Sequence, residues 1–322
     1  MIDSAKLNGR NGNEIEDEIA DLERRLAEAK AKRSHSHPPL TKPLSSTLTS
    51  PTHFLLLLSD SALPLGSFAF SSGLESYLAH QKVIFRQPSS FASFLPLSIS
   101  SYASTTLPFV LAAHRDPSLA SLTALDDALD AAIVCTVGRR ASVAQGRALL
   151  SIWERSFAGA LTERGGGGVD GTEALRGFAA LLRTTSTSTS TPALTNGTTT
   201  TTTTNTTKPP PNDDPPPPPP VSAHLAPLFG AISALAGLGL EQTAYVFMLG
   251  HVKALVSAAV RAGMFGPYQA QKTLASGAVQ GLVAAVVERE WATAVEEAGQ
   301  GVPVMDLWVG RHEVLYSRIF NS

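Results

Sequence analysis

Residues 224–263 read HLAPLFGAISALAGLGLEQTAYVFMLGHVKALVSAAVRAG, and this stretch decides the class of fold. The segment from Leu225 to Leu240 is uncharged and largely apolar, and Glu241 follows it directly. A membrane span needs about twenty such residues, so this length favours a buried helix of a soluble core. Its alanine and glycine content also suits close packing between helices. The sequence therefore predicts two core helices, at about 222–238 and 241–262.

The same helical periodicity recurs on both sides of this stretch. Apolar residues spaced three and four apart predict further helices at about 90–114, 118–134, 138–163, 173–183, 267–298 and 304–320. Alternating apolar and polar patterns of the strand type are almost absent. The sequence therefore predicts an all-α protein, whose helices form a single bundle domain spanning residues 52–322.

Composition and charge exclude several classes of function. The 322 residues carry a net charge of −2, and no basic field is available to attract nucleic acid or an anionic membrane. The single cysteine, Cys135, rules out an internal disulfide and fits a reducing compartment. The N-terminus lacks the apolar core of a secretion signal. We therefore expect a cytoplasmic protein.

The N-terminal residues 1–51 differ in character from the helical domain. Within residues 14–32, apolar residues recur at alternating spacings of four and three, as in the seam of a short coiled coil: Ile15, Ile19, Leu22, Leu26 and Ala29. About two heptads lie at the margin of stability, so a solvated helix that frays explains the pattern equally well. Residues 33–51 are rich in Ser, His, Pro and Thr and read as a linker.

A second unusual segment interrupts the helical domain. Residues 184–220 form a Thr- and Ser-rich tract that ends in six consecutive prolines at 215–220. Such a composition cannot bury enough apolar surface to fold alone. The sequence therefore predicts a disordered insertion within one domain.

Residues 59–80, SDSALPLGSFAFSSGLESYLAH, place glycines, serines and two phenylalanines in a turn before a helix. Gly66 and Gly73 lie seven residues apart with no preceding βαβ strand, which argues against a dinucleotide loop. Ser72 and Glu75 have the spacing of a capping box. Phe68 and Phe70 suit either a surface that a partner covers or packing within the chain.

Two other motifs lack an essential residue. The stretch GPYQAQKT at 266–273 has Gln271 where a phosphate-binding loop requires glycine before the lysine. The stretch HEVLY at 312–316 has Tyr316 where a zinc protease requires its second histidine. The remaining histidines of the domain are scattered singly, and we expect them at helix caps or on the surface: His53, His80, His114, His224 and His251.

The chain ends in RHEVLYSRIFNS, residues 311–322, which combines apolar and aromatic side chains with arginines. A terminus this rich in interface anchors docks either on its own domain or on a partner. Arg318 is of particular interest, because its planar guanidinium can stack on an aromatic ring.

At these segments the sequence resembles the family of the urease accessory protein UreF. The stretches LPLGSFAFSSGLE at 63–75 and RHEVLYSRIFNS at 311–322 match recurring motifs of that family. ASVAQGRALL at 141–150 and the core stretch at 224–263 also agree. The resemblance covers roughly residues 54–322 apart from the Thr- and Pro-rich insertion.

The resemblance implies a non-enzymatic, dimeric assembly factor for the nickel enzyme urease. Proteins of this family bind UreD, also called UreH, recruit the GTPase UreG and regulate its GTP-dependent delivery of nickel into apo-urease. We therefore expect no tightly bound cofactor and no metal site in this chain, with nickel handled transiently by the complex. The predicted partner-binding residues are Phe68, Phe70, Glu75, Arg311, His312, Glu313, Tyr316, Ser317, Arg318 and Phe320, and the residues predicted to shape the backbone are Gly66, Ser72 and Gly73.

Two functions of other classes stay open at this point. The first is a metallochaperone that binds nickel directly through His35, His37 and His312. The second is a hydrolase that uses Ser71 or Ser72, although neither serine lies in a Gly-x-Ser-x-Gly elbow.

Overall fold

A computed structural model of the protein describes residues 17–28, 51–81, 90–163, 169–188 and 221–321. The chain divides into two units, Met1–Ser50 and Pro51–Ser322. In the first unit, residues 17–28 form helix α1, inside the segment predicted as a coiled-coil helix. The predicted linker, with His35 and His37, lies outside the described residues.

Every regular element among the described residues of the second unit is a helix or a helical turn, which confirms the all-α prediction. In chain order the helices are α2 (Pro51–Ser59), α3 (Leu74–His80), α4 (Phe91–Arg115), α5 (Leu119–Ala132), α6 (Thr136–Ile152), α7 (Ala158–Glu163), α8 (Val169–Ser188), α9 (Leu225–Leu235), α10 (Leu240–Arg261), α11 (Pro267–Leu274), α12 (Gly277–Glu290) and α13 (Pro303–Arg311). A π-helical turn, Trp153–Phe157, joins α6 to α7.

Two predicted helices are wrong in extent. The helix predicted over 267–298 is two helices, α11 and α12, because the Ser276 side chain caps the start of α12 by accepting a hydrogen bond from the Val279 amide at 3.3 Å. The helix predicted over 304–320 ends at Arg311 and continues as a 3₁₀ turn, His312–Val314, and a non-helical tail.

Helix α9 lies at the centre of the bundle and packs against α4, α6 and α10. Ten of its eleven residues are buried. Gly230 faces α4 so closely that a Cβ atom there would lie 2.2 Å from the carbonyl oxygen of Val110. The close packing predicted from the small residues of this stretch therefore occurs, and it involves backbone contact.

Among the described residues, α4 and α10 are long and apolar enough to cross a membrane. However, 67% and 61% of their most apolar windows are buried inside the protein. Burial of this extent is what the core helices of a bundle show, since each buries an apolar stripe against its neighbours.

Residues 221–224, which follow the predicted insertion, are held in a defined conformation. The buried carboxylate of Asp126 on α5 accepts hydrogen bonds from three consecutive backbone amides, those of Ser222 at 2.6 Å, Ala223 at 3.1 Å and His224 at 2.6 Å. Helix α8 extends to Ser188, into the tract predicted as insertion, and the remainder of that tract lies outside the described residues.

His224 is the N-cap residue of α9, one of the two kinds of position expected for it, and it is fully buried. Its Nε2 lies 2.8 Å from Asp130 Oδ1, and its Nδ1 lies 3.0 Å from Ser142 Oγ. Partial burial acts to raise the pKa of Asp130, but hydrogen bonds from Arg139 and His224 outweigh this effect, and the pKa lies below its usual range. The segment that enters α9 is therefore held by polar as well as apolar contacts.

Replacing Gly230 by alanine is expected to destabilise the protein, because the added methyl group meets backbone that cannot rotate away. Overpacking of this kind costs about 1–3 kcal/mol in unfolding free energy, measured by urea denaturation. The matched control is Gly281→Ala on α12, where a Cβ atom meets no atom within 4 Å. The control should be neutral or stabilising, because alanine favours helix. Equal loss in both variants would contradict the packing argument.

Candidate partner-binding surface

The turn before α3 has a left-handed backbone at three positions. Gly66 and Gly73 have φ angles of 73° and 85°, the geometry for which glycine was expected there. Ser72 has a φ of 49°, and Gly73 rather than Ser72 precedes the helix as its N-cap, without a side-chain cap. The capping-box prediction for Ser72 and Glu75 is therefore wrong, and the Glu75 carboxylate is free for another role.

The Glu75 carboxylate binds the C-terminal tail, residues 312–321. Its Oε1 accepts a hydrogen bond from the backbone amide of Ile319 at 2.6 Å, and its Oε2 accepts one from the amide of Phe320 at 3.2 Å. The Nε2 atom of His312 lies 3.0 Å from the same Oε2. The side chain of Glu75 is only 11% exposed and that of His312 is fully buried. These hydrogen bonds hold the tail in a non-helical path, because amides that bind a carboxylate cannot continue a helix.

The end of the tail is held by two further contacts. The amide of Asn321 donates to the carbonyl oxygen of Ala69 at 2.7 Å. The buried ring of Phe320 lies under the guanidinium of Arg261, whose Cζ is 4.4 Å from the ring centroid. Arg261 also donates to the carbonyl oxygen of Phe68, so it joins the tail to the turn before α3. The stacking that was considered for Arg318 is thus made by Arg261, at the end of α10.

Charged side chains line the other side of the tail. Glu313 accepts hydrogen bonds from Arg140 on α6 at 2.5 Å and from Arg318 at 3.2 Å. These two arginines, Arg140 foremost, hold the pKa of Glu313 below its usual range. Because the three groups are exposed, their contribution to stability is small, and they mainly orient the tail.

The anchored tail and the adjacent turn expose apolar side chains to solvent. We call Phe68, Val314, Tyr316, Arg318 and Ile319 the tail surface. The four apolar members are 64%, 75%, 107% and 65% exposed, in chain order. Aromatic residues and arginine are enriched among the anchors of protein interfaces. The arrangement therefore fits a protein partner.

The predicted partner-binding residues fall into two groups: buried residues that hold the tail in place, and residues that face solvent. Glu75, His312 and Phe320 are inside and hold the tail. Phe70 is half-buried. The remaining predicted partner-binding residues are exposed: Phe68, Arg311, Glu313, Tyr316, Ser317 and Arg318.

Sequence reasoning missed Arg261 and Arg140, which position the tail. Arg261 ends the stretch VSAAVR, and Arg140 directly precedes the stretch at 141–150, so both adjoin segments that had been singled out. Their roles depend on contacts with residues far away in the chain, and a single sequence carries no signal for such pairs.

Two cavities of about 180 and 230 Å³ share Phe70, Tyr102 and His251 in their walls. His251 is buried, which corrects its predicted surface position, and its ring stacks on Tyr102 with centroids 4.0 Å apart. Its Nε2 lies 3.0 Å from Ser98 Oγ. Burial lowers the pKa of His251 to about 3, so its imidazole is neutral at physiological pH.

Of the three candidate nickel ligands, the structure describes His312, and His35 and His37 lie outside the described residues. Among the described residues, no group of three His, Cys, Asp or Glu side chains lies close enough to hold a metal ion. The Nε2 atom of His312 is engaged by Glu75.

The structure thus describes an all-α protein whose C-terminal segment is anchored through its backbone and exposes apolar side chains. Residues 85–278 match the model of the UreF family. The chain is 35% identical over 271 residues to the "uncharacterized urease accessory protein UreF-like" of Schizosaccharomyces pombe, covering 84% of this chain and 97% of that protein. It is 32% identical over 267 residues to urease accessory protein F of Oryza sativa subsp. japonica, covering 82% of each chain. It is 27% identical over 341 residues to urease accessory protein 6 of Cryptococcus neoformans, covering 84% of this chain and 96% of that one. The chain therefore belongs to the UreF family of urease accessory proteins.

Glu75→Gln is expected to loosen the tail. The Glu75 carboxylate offers two acceptor oxygens to the amides of Ile319 and Phe320, whereas the glutamine side chain offers only one. Hydrogen bonds to a charged group contribute about 1.5–3 kcal/mol, so amide hydrogen exchange at Ile319 and Phe320 should accelerate about tenfold or more. The control is Glu288→Gln, an exposed carboxylate on α12 outside the tail, which should leave exchange of these two amides unchanged. Unchanged exchange in Glu75→Gln would show that the carboxylate does not hold the tail.

Acid should destabilise the protein partly through His251. Its pKa is about 3 in the folded protein, whereas an ordinary histidine has a pKa of 6.5, so below pH 6.5 the unfolded chain binds a proton that the folded protein does not. Its contribution is present above pH 6.5 and is lost as the pH falls toward 3, at about 1.4 kcal/mol per pH unit. Denaturant titrations from pH 7 to 5 should therefore show a shallower loss in His251→Gln than in the wild type. The exposed His53→Gln is the control, and equal slopes in wild type and His251→Gln would refute the assignment.

Proposed function

We propose that this protein is a non-catalytic scaffold of urease maturation that binds UreD (UreH) through the tail surface. With that partner it recruits the GTPase UreG and regulates GTP-dependent delivery of nickel into apo-urease. Membership of a family of urease accessory proteins supports the setting of this role. The structure of the tail supports the choice of surface.

The observation that carries the proposal is a tail whose backbone is anchored while its side chains face outward. Two backbone amides of the tail bind Glu75, and the Phe320 ring is buried under Arg261. The neighbouring side chains of Tyr316 and Ile319 remain exposed. Ordering a flexible segment at an interface costs free energy, so a segment ordered beforehand binds with less loss. The tail is thus prepared for a partner before that partner arrives.

The remaining parts of the role follow from the family resemblance. We propose that the protein works as a dimer in the cytoplasm. The UreD partner and the GTPase act as separate chains, and nickel passes through the assembled complex without tight binding to this one.

The proposal predicts that Tyr316→Ala and Arg318→Ala weaken the complex with UreD of the same organism. Interface anchors of this type contribute about 2 kcal/mol or more, which is about 30-fold in Kd. The complex is measured by size-exclusion chromatography with light scattering and by titration. Tyr268→Ala is the matched control, because Tyr268 is 92% exposed on α11 and is not part of the tail surface.

Cellular urease activation supplies a second readout. The two tail variants should reduce the activity of urease matured in their presence. Tyr268→Ala, which should leave the UreD complex intact, should not reduce it. If both tail variants bind UreD with wild-type affinity, the tail surface is not the binding site. If the wild-type protein forms no complex with UreD, the partnership itself is wrong.

A further inference from the structure

The larger of the two cavities, of about 230 Å³, lies between helices of the bundle and has no part in the tail surface. Its walls come from α4, α6, α9, α10, α13 and the turn before α3. The cavity also reaches the protein surface, because Val134 in its wall is 86% exposed. A cavity between helices with access from solvent is a common setting for a small-molecule site.

Two buried polar side chains of the wall have hydrogen-bonding capacity that the protein does not use. His251 and Ser101 are 8% and 7% exposed. The Nε2 atom of His251 lies 3.0 Å from Ser98 Oγ, whereas neither its Nδ1 atom nor Ser101 Oγ has a hydrogen-bond partner among the described residues. Neither atom is fully enclosed by protein, so each is open to the cavity.

The two open atoms belong to one part of the wall. Ser98 and Ser101 are three residues apart on α4 and therefore share a face of that helix. Because Ser98 is in hydrogen-bond distance of His251, its neighbour Ser101 lies on the side of α4 that faces His251. Buried polar atoms normally have a partner, so this pair calls for one in the cavity.

A hydroxyl group is the partner that suits both atoms. The imidazole of His251 is neutral, so one of its nitrogens donates a hydrogen bond and the other accepts one. The Ser98 hydroxyl is able to donate or accept, which leaves Nδ1 either as a donor or as an acceptor. Ser101 Oγ also does both. A ligand hydroxyl pairs with either form of the histidine and with the serine.

The rest of the wall favours an uncharged ligand with a hydrocarbon body. No Lys or Arg is present among the described residues that form this wall, so an anion would lose its hydration without compensation. The half-buried carboxylate of Asp306 already accepts a hydrogen bond from Gln300 at 2.9 Å, and alone it does not offset the dehydration of a cation. Ile133, Met305 and Val309 supply apolar surface.

The volume of the cavity sets the size of the ligand. An apolar cavity of about 150 Å³ holds one benzene molecule. At about 230 Å³, the larger cavity holds one six-membered ring with a short substituent.

We propose that the larger cavity is a binding site for a small, uncharged molecule that carries one hydrocarbon ring and one or two hydroxyl groups. The hydroxyl groups pair with His251 Nδ1 and Ser101 Oγ, and the ring packs against the apolar side chains of the wall. This inference does not rest on the proposed function.

The position of the site gives its occupant a contact with the turn before α3. Phe70 and Ser72 of that turn form part of the wall. The adjacent Ala69 carbonyl oxygen accepts the hydrogen bond of the Asn321 amide at the end of the tail. A molecule in the cavity therefore touches the same turn that holds the tail.

The experiment follows the methyl signals of ¹³C-labelled methionines in the full-length protein during titration with benzyl alcohol. Met305 lines the cavity, whereas Met248 and Met264 line neither cavity and serve as internal controls. The Met305 signal should shift saturably, with a Kd on the order of 1 mM for a molecule of this size. Benzoate and benzylammonium carry the same ring with a charge and should bind about tenfold more weakly or worse.

Ser101→Ala tests the hydroxyl contact. Because Ser101 Oγ has no partner in the described part of the protein, its removal should leave the fold intact. The variant should bind benzyl alcohol about fivefold more weakly, since one hydrogen bond is lost, and should bind toluene no more weakly than the wild type does. The comparison of charged and uncharged probes uses the wild-type protein and needs no variant.

Three results would overturn the proposal. If Met305 does not shift at about ten times the expected Kd, the cavity holds water only. Equal shifts of all the methionine signals would show unspecific partition of the probe into the protein. A charged probe that binds as tightly as benzyl alcohol, or an equal loss of toluene and benzyl alcohol affinity in Ser101→Ala, would show that the assigned ligand class is wrong.

Discussion

A carboxylate removed from water must find hydrogen-bond donors, and Glu75 finds them in the C-terminal tail. The dependence is mutual, because the non-helical path of the tail leaves amides that need an acceptor. Removing either partner would leave buried polar groups without compensation, which costs more than the pair contributes in net stability. The outward direction of Tyr316 and Ile319 is a consequence of this inward contact. Buried contacts of Glu75 therefore determine which side chains of the tail are exposed.

The helical bundle brings together elements that are far apart in the chain. The turn before α3, the end of α10 and the end of the tail meet because α9 and its neighbours pack closely enough to place them on one side. Gly230 permits that approach on α9, and Arg261 spans the resulting junction by contacting both the Phe68 carbonyl and the Phe320 ring. Core packing and surface construction are thus two parts of one arrangement.

Helix content and class could be predicted from the sequence, since apolar periodicity and composition are local properties. The bounds of α4, α9 and α10 were predicted to within a few residues. The wrong predictions arose where one sequence pattern is compatible with two different structures. Ser72 and Glu75 have capping-box spacing, yet a left-handed backbone removes Ser72 from the cap and the tail occupies Glu75. The periodicity of residues 304–320 resembled a helix because buried Phe320 and exposed Tyr316 have the same apolar character. Contacts such as that between Arg261 and Phe320 join distant segments, and no local pattern encodes them.

The three amide hydrogen bonds to Asp126 also bear on how this chain tolerates change in its length. They define the position and direction in which the polypeptide enters α9, whatever precedes Val221. The entropy of closing a connection grows only logarithmically, by about 0.6 kcal/mol for each doubling of its length. Because residues 222–224 are held by Asp126, the connection before them can be longer or shorter with little change in the stability of the core. The connection between α8 and α9 is thus a place where new sequence can accumulate and acquire a use of its own while the bundle stays unchanged.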